Sequence, residues 1–315
     1  MGAFVRFRDA RVAGIARMRR QRGDMTIFNL GSINVDHVYR LPTLALPGET
    51  IAARTLSRGL GGKGANQSIA AARAGAVVRH VGAIGAADDW VAETLRAAGV
   101  DVRGIQRLAD EATGHAIIMV DDGGENAIVI HGGANHALPQ SAVTAGLSGI
   151  GPGDTLLLQN ETAHQRIAAA QAQAAGARVI YSAAPFDLAA VRDVLPHTSI
   201  IAVNEGEAAR LQAGIEGPLP VAGLLVTMGG KGAEYRDLTA GRVTRQDAFP
   251  VTPVDTTGAG DCFAGWFAAG MDEGLAIEAN LRRAAAAAAL QVTRPGAADA
   301  MPTLAEVDAI LTRGR

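Results

Sequence analysis

The chain has 315 residues, 48% hydrophobic and 19% charged, with a formal net charge of −2. That length allows one large α/β domain or two smaller ones, and the composition excludes wholesale disorder. The charge balance offers no global field for nucleic acid or an anionic membrane. Cys262 is the only cysteine, which excludes disulfides within the chain and cysteine-based zinc sites and fits a reducing cytoplasm. No apolar run reaches the roughly 18–20 residues needed to span a bilayer.

Residues 1–24 carry seven arginines against Asp9 and Asp24. They read as a basic N-terminal extension outside the fold, with Met25 as the natural first residue. Beyond them short apolar runs alternate with helical patterns. Strands are expected at Thr26–Leu30, Val77–Val81, Thr155–Leu158, Arg178–Tyr181, Ile200–Val203 and Leu224–Thr227. Their nearly continuous apolar character suits parallel strands buried on both faces. Helices are expected at Gln67–Ala74, Asp88–Ala98, His164–Ala175, Glu205–Ala213, from Cys262 to about Met271, and at Ile277–Val292 and Leu304–Leu311. This alternation predicts an α/β fold, a doubly wound and mostly parallel sheet with helices on both faces. Residues 49–57 and 114–130 break the pattern and read as antiparallel ribbon, the second turning at Asp121-Asp122-Gly123-Gly124. A small sheet of this kind can act as a lid, or be no more than a decorative hairpin. One domain, 25–315, with a β lid from about 37–60 and 112–132 is the expected organisation.

The most informative run is Val254-Asp-Thr-Thr-Gly-Ala-Gly-Asp-Cys-Phe263. Gly258 and Gly260 let the backbone turn its N–H groups inward just before a helix, whose own N-terminus attracts anions. A carboxylate there, Asp261, opposes simple phosphate binding. It makes sense as the base that takes a proton from a hydroxyl attacking the phosphate. Cys262 reads as a small buried residue rather than a nucleophile.

Other motifs stand at strand ends, where ligands gather in parallel sheets. The first strand runs on into Asn34-Val-Asp36, whose two polar side chains share a face. Gly59-Leu-Gly61-Gly62-Lys63-Gly64-Ala-Asn66 formally matches a dinucleotide fingerprint but does not follow the first strand, which argues against a nicotinamide-dependent dehydrogenase. Gln159-Asn160-Glu161 and Asn204-Glu-Gly-Glu207 follow buried strands. Glu207 is either a first-turn acid stabilising its helix or, with Asn204, an organiser of water around Mg²⁺. Thr227-Met-Gly229-Gly-Lys-Gly232 is a further glycine-rich turn. His131 and His136 are weak evidence for zinc.

Together these segments resemble the ribokinase-like (PfkB) family of carbohydrate kinases. The matching text is Gly31–His37, Gly61–Asn66, Gly124–Asn126, Gly133–Asn135, Asn204–Glu207, Asp255–Asp261 and Val292–Gly296. The resemblance implies an ATP-dependent kinase acting on the terminal hydroxyl of a pentose, with ribose favoured by the Asn34/Asp36 pair and the Gly-Gly-Lys-Gly-Ala-Asn string. Asn34, Asp36, Gly62, Lys63, Asn66 and Glu161 would hold the sugar. Asp261 would be the base, with the N–H groups of Gly258, Ala259 and Gly260 as anion hole. Asn204 and Glu207 would serve Mg²⁺–ATP through water, and Thr227, Gly229, Gly232 and Gly260 would lie at the nucleotide. A monovalent cation, usually potassium, would sit at Asp255 and the carbonyls of Thr257, Gln291, Arg294 and Gly296. Ala300 aligns where a serine hydroxyl is common at that cation, and Ala285 where a polar residue is common near adenine. A homodimer through the lid strands is implied. The rivals are a kinase of another sugar or a nucleoside, and a sugar sensor that has lost catalysis.

Overall fold

The computed structural model describes residues 25–313; the basic segment 1–24 lies outside the described residues. The strands are β1 (Thr26–Leu30), β2 (Asn34–Arg40), β3 (Thr55–Gly61), β4 (Val77–Gly85), β5 (Asp101–Leu108), β6 (Gly114–Val120), β7 (Asn126–His131), β8 (Thr155–Gln159), β9 (Arg178–Ser182), β10 (Ile200–Asn204), β11 (Gly223–Thr227), β12 (Ala233–Asp237) and β13 (Arg242–Gln246). The helices are α1 (Lys63–Arg73), α2 (Asp89–Ala97), α3 (Ala134–Ala137), α4 (Gln140–Gly146), α5 (Gln165–Ala174), α6 (Leu188–Val194), α7 (Glu205–Gly214), α8 (Ala259–Glu273), α9 (Ile277–Gln291) and α10 (Leu304–Arg313).

Nine strands form one sheet in the order β13-β12-β11-β10-β9-β8-β1-β4-β5, parallel except at β12 and β13. Alternation along each central strand splits its apolar side chains between two cores. Ile27, Leu157 and Ile180 join Trp266, Phe267 and Leu281 on one face. Phe28, Leu30, Leu156, Leu158 and Tyr181 join Val143, Ala168, Val191 and Leu211 on the other. All six expected strands and all seven expected helices are present. The strands missed in the main sheet, β5, β12 and β13, lie toward its edges and carry charged side chains that blur an apolar run.

The second sheet has the order β3-β2-β6-β7. Its hairpin turns as expected, with Gly124 at φ +84° and its N–H donating to the Asp121 carbonyl at 3.1 Å. Two expectations are corrected here. The first ribbon strand is Thr55–Gly61, not 49–57, because its ladder partner is Asn34–Arg40, in register from Asn34↔Gly61 to Arg40↔Thr55. Asn34 and Asp36 belong to this small sheet and not to an extension of β1. Local propensity does not contain such a pairing.

Helices α1 and α8 touch through small side chains. A Cβ on Gly265 would stand 2.6 Å from both the Ala70 Cβ and the Gln67 carbonyl oxygen. Only glycine permits that approach, and it brings the start of α1 against the start of α8.

Candidate active site

Asp261 sits in the first turn of α8, after Gly258 at φ +79°, a left-handed conformation that glycine adopts without strain. Its carboxylate is buried. Oδ2 accepts from Asn66 Nδ2 at 3.0 Å and Oδ1 from Gln67 Nε2 at 2.9 Å. Burial pushes its pKa above the ordinary carboxylate range, against the opposing pull of the Lys63 charge and the two amide donors, while Glu161 adds to the rise. Donors that favour the charged form keep a buried acid able to act as a base.

Gln67 is held in turn. Its Oε1 accepts from Gln159 Nε2 at 2.7 Å, so its amide nitrogen must face Asp261. Gln159 Nε2 also donates to Asn29 Oδ1 at 3.0 Å, and Asn29 Nδ2 donates to Ser68 Oγ at 2.8 Å. Ser68 Oγ lies 2.8 Å from His80 Nδ1, and His80 Nε2 lies 3.0 Å from the Gly31 carbonyl oxygen. Burial lowers the His80 pKa to about 4, so the ring is neutral; it donates from Nε2 and accepts the Ser68 proton at Nδ1. Every link then has one donor and one acceptor.

The residues expected at a sugar converge beside this network. The Lys63 N–H donates to Glu161 Oε2 at 3.1 Å, and the Ser32 hydroxyl donates to the same oxygen. Asn135 Nδ2 donates to Asn34 Oδ1 at 2.8 Å, and Asn135 Oδ1 accepts from the Ile33 N–H at 2.9 Å. Burial, with the nearby Glu161 charge, raises the Asp36 pKa to about 6. Gly62 is the N-cap of α1 at φ +93°, and a Cβ there would lie 2.9 Å from the Asn34 nitrogen. Gly61 is as constrained, since a Cβ would come within 2.1 Å of Asp36 Oδ2. Ser32, Gly61, Gln67, Asn135 and Gln159 were given no role by the sequence reading, although Gly61 and Gln159 lie in motifs it singled out. Gln67, following Asn66 on a helix, and Asn135, within a matched Gly-Ala-Asn string, also carried a legible signal.

A cavity of about 200 Å³ is lined by Lys63, Asn204, Glu207, Thr256, Gly258, Ala259, Gly260 and Asp261. A second, of about 480 Å³, is lined by Thr227, Gly229, Gly232, Phe249, Pro253 and Ala285. Both include Thr227, Thr256, Ala259, Gly260 and Phe263. Lys63 of the expected sugar set, the expected anion residues and the expected nucleotide residues therefore line two adjoining cavities. Asn204 and Glu207 form a capping box, Asn204 Oδ1 accepting from the Glu207 N–H and Glu207 Oε2 from the Asn204 N–H, each at 2.8 Å. The helix-stabilising reading made for Glu207 therefore holds, and Asn204 joins it as the N-cap. Glu207 Oε1 remains available to the cleft, and a hard oxygen of this kind fits a magnesium-bound water.

The residues expected at a monovalent cation also converge, but on one another. Asp255 Oδ1 accepts from the Thr257 N–H and Oδ2 from the Gly296 N–H, each at 2.9 Å. Gln291 Nε2 donates to the carbonyls of Thr257 at 2.7 Å and Gly296 at 3.1 Å. The Arg294 side chain is turned away to Glu306 at 2.7 Å. Cys262 is fully buried and its thiol pKa is pushed up by burial, in keeping with a packing role. The His131 ring lies against that of His115, centroids 5.2 Å apart and planes tilted by 49°. Among the described residues no group of three His, Cys, Asp or Glu side chains could hold a metal ion.

A glycine-turned helix N-terminus beside a buried, hydrogen-bonded carboxylate is an arrangement that suits a phosphotransferase with an alcohol acceptor. Residues 26–304 match the model of the pfkB family carbohydrate kinases. The chain is 34% identical over 300 residues to a ribokinase of Haemophilus influenzae, covering 89% of this chain and 96% of that protein. The structure of Arabidopsis thaliana ribokinase complexed with ribose and ATP aligns with a TM-score of 0.81 at 32% identity, covering 91% of this chain and 98% of that one. Ribokinase from Cryptococcus neoformans in complex with ADP aligns at 0.77 and 33%, covering 91% and 99%. The chain belongs to the pfkB family of carbohydrate kinases.

Proposed function

We propose that this chain transfers the terminal phosphoryl group of ATP to the terminal hydroxyl of D-ribose, giving ribose 5-phosphate and ADP. The observation that carries the reading is Asp261, gripped by Asn66 and Gln67 at the mouth of α8 in the cleft shared with Lys63. The relatives named as ribokinases, one of them complexed with ribose and ATP, favour ribose as acceptor.

Asn34, Asp36, Gly62, Lys63, Asn66 and Glu161 hold the sugar in this reading. Asp261 takes the hydroxyl proton as the oxygen attacks phosphorus and the bond to ADP breaks. The backbone N–H groups at Gly258, Ala259 and Gly260 receive the charge that develops on the transferring group. Bound magnesium would neutralise phosphate charge, with Glu207 and Asn204 placing its waters. Thr227, Gly229, Gly232 and Gly260 receive the nucleotide, and the small sheet closes over the sugar to exclude water. The exposed edge strand β7, with Ile128, Val129 and Ile130 facing solvent, is the surface on which a second copy would pair. No helix among the described residues is long and apolar enough to cross a membrane, and cytoplasmic residence belongs to the proposal.

A coupled ADP-release screen over pentoses, hexoses and nucleosides tests the reading. Ribose should give the highest kcat/KM, with ribose 5-phosphate as product. A nucleoside or hexose preferred over ribose would overturn the assignment of the acceptor, and no acceptor-dependent ADP release would overturn the kinase reading.

A further inference from the structure

The seat that the family resemblance assigns to a monovalent cation does not fit one. Cation sites need oxygen lone pairs converging on open space. Here each oxygen already accepts one donor and keeps a second lone pair, so occupancy turns on whether the space between them is open. Both carboxylate oxygens of Asp255 accept backbone N–H groups, from Thr257 and Gly296. The Gln291 carbonyl accepts the Arg294 N–H at 3.1 Å. Ala300 is buried and supplies no hydroxyl.

The centre of the seat is taken by a side chain of this protein. Gln291, in the last turn of α9, is fully buried. Its Nε2 carries two N–H bonds, and they run to the carbonyl oxygens of Thr257 and Gly296, two of the expected cation ligands. An amide N–H pair presents partial positive charge to both oxygens, as a bound cation would. Gln291 Oε1 is buried with no partner. Exchanging amide oxygen and nitrogen would set Oε1 against two other acceptors, an arrangement that only an added cation would relieve.

We propose that the side-chain amide of Gln291 replaces the monovalent cation, so that this enzyme needs no potassium. Thr257 directly precedes Gly258, so the amide braces the turn into α8 from which Asp261 projects. The effect on catalysis rests on the kinase reading given above; the effect on cation binding does not.

The test compares wild type with Gln291→Ala in tetramethylammonium chloride and in potassium chloride at equal ionic strength. Two quantities are read: the melting temperature, and ribose-dependent ADP release. Wild type should show the same Tm and the same kcat in both salts. Gln291→Ala, which empties the seat, should lose at least about tenfold in kcat without potassium and recover on its addition. Its Tm should also rise with potassium concentration, as mass action requires for a ligand bound only by the folded state. Gln291→Met fills the space without a donor, so its lost activity should not return with potassium. It also keeps the test open should Gln291→Ala fail to fold. Wild-type Tm and kcat that both rise with potassium, in a way that Gln291→Ala abolishes, would overturn the proposal and make the flipped amide a ligand. Absence of any ribose-dependent ADP release in either salt would refute the ribose reading, while the melting temperatures would still decide the cation question.

Discussion

Gln67 Nε2 lies 2.9 Å from Asp261 Oδ1, joining two residues 194 positions apart in the chain. The contact exists because α1 and α8 approach through Ala70 and Gly265. With the bond from Asn66, it gives a buried carboxylate two donors that favour its charged form.

Asp261→Asn keeps the shape of the side chain and removes the basic oxygen. Turnover should fall by about 10²–10⁴-fold. Ribose affinity, read by calorimetry, should stay within a few-fold of wild type. Turnover within tenfold of wild type would remove Asp261 from the role of base.

Gln67→Leu removes one donor from Asp261 at nearly constant volume. Burial already raises this carboxyl and the Gln67 bond opposes that rise, so losing the bond moves the pKa further up. The base is then protonated to a higher pH. The acid limb of the kcat/KM profile should move upward, with little change in sugar affinity. A lower kcat with an unmoved limb would mean that Gln67 serves packing alone.

Gly61→Ala places a Cβ where the Asp36 carboxylate now stands. The carboxylate or the strand must give way, at a cost of about 1–3 kcal/mol. The expected result is a raised sugar KM, with kcat at saturating sugar much less affected. Steady-state kinetics at varied ribose would show the split, and an unchanged KM would place Asp36 outside the sugar site.

Asp272 lies on α8 far from the cleft chemistry, accepting from the Thr155 hydroxyl and paired with Arg178 at 3.3 Å. Burial raises its pKa from the ordinary 3.8 to about 6. The folded chain therefore holds this proton more tightly than the unfolded chain. Stability from this group is fully present below about pH 4 and is lost as pH rises through about 6, a change on the order of 3 kcal/mol at most. Asp36 contributes with the same sign. Calorimetric unfolding of wild type should show Tm falling across this window from these groups, and Asp272→Asn should flatten the fall. An equally steep fall in the variant would assign the effect elsewhere.

Much of this was legible in the residues alone. Continuous apolar runs such as Thr155–Leu158 reveal buried parallel strands, because period-2 alternation vanishes when both faces are covered. The run Asp255–Asp261 announced its own local structure, since glycine turns, a helix start and a carboxylate are local features of consecutive residues. Glu207 as a first-turn acid was visible for the same reason, whereas its reciprocal cap with Asn204 was seen only in the structure. The antiparallel pairing of Asn34–Arg40 with Thr55–Gly61 was not, because register depends on a partner strand that propensity does not name.

Local sequence by itself thus determined the layered α/β class, the helix start at Asp261 and the candidate cleft residues, since backbone propensity and side-chain chemistry act over a few neighbours. Tertiary structure alone decided which distant groups meet: Gln67 with Asp261, Asn135 with Asn34, and the Gln291 amide with the carbonyls of Thr257 and Gly296. Those contacts follow from how helices and sheets pack, and packing joins residues whose separation along the chain carries no trace of their proximity.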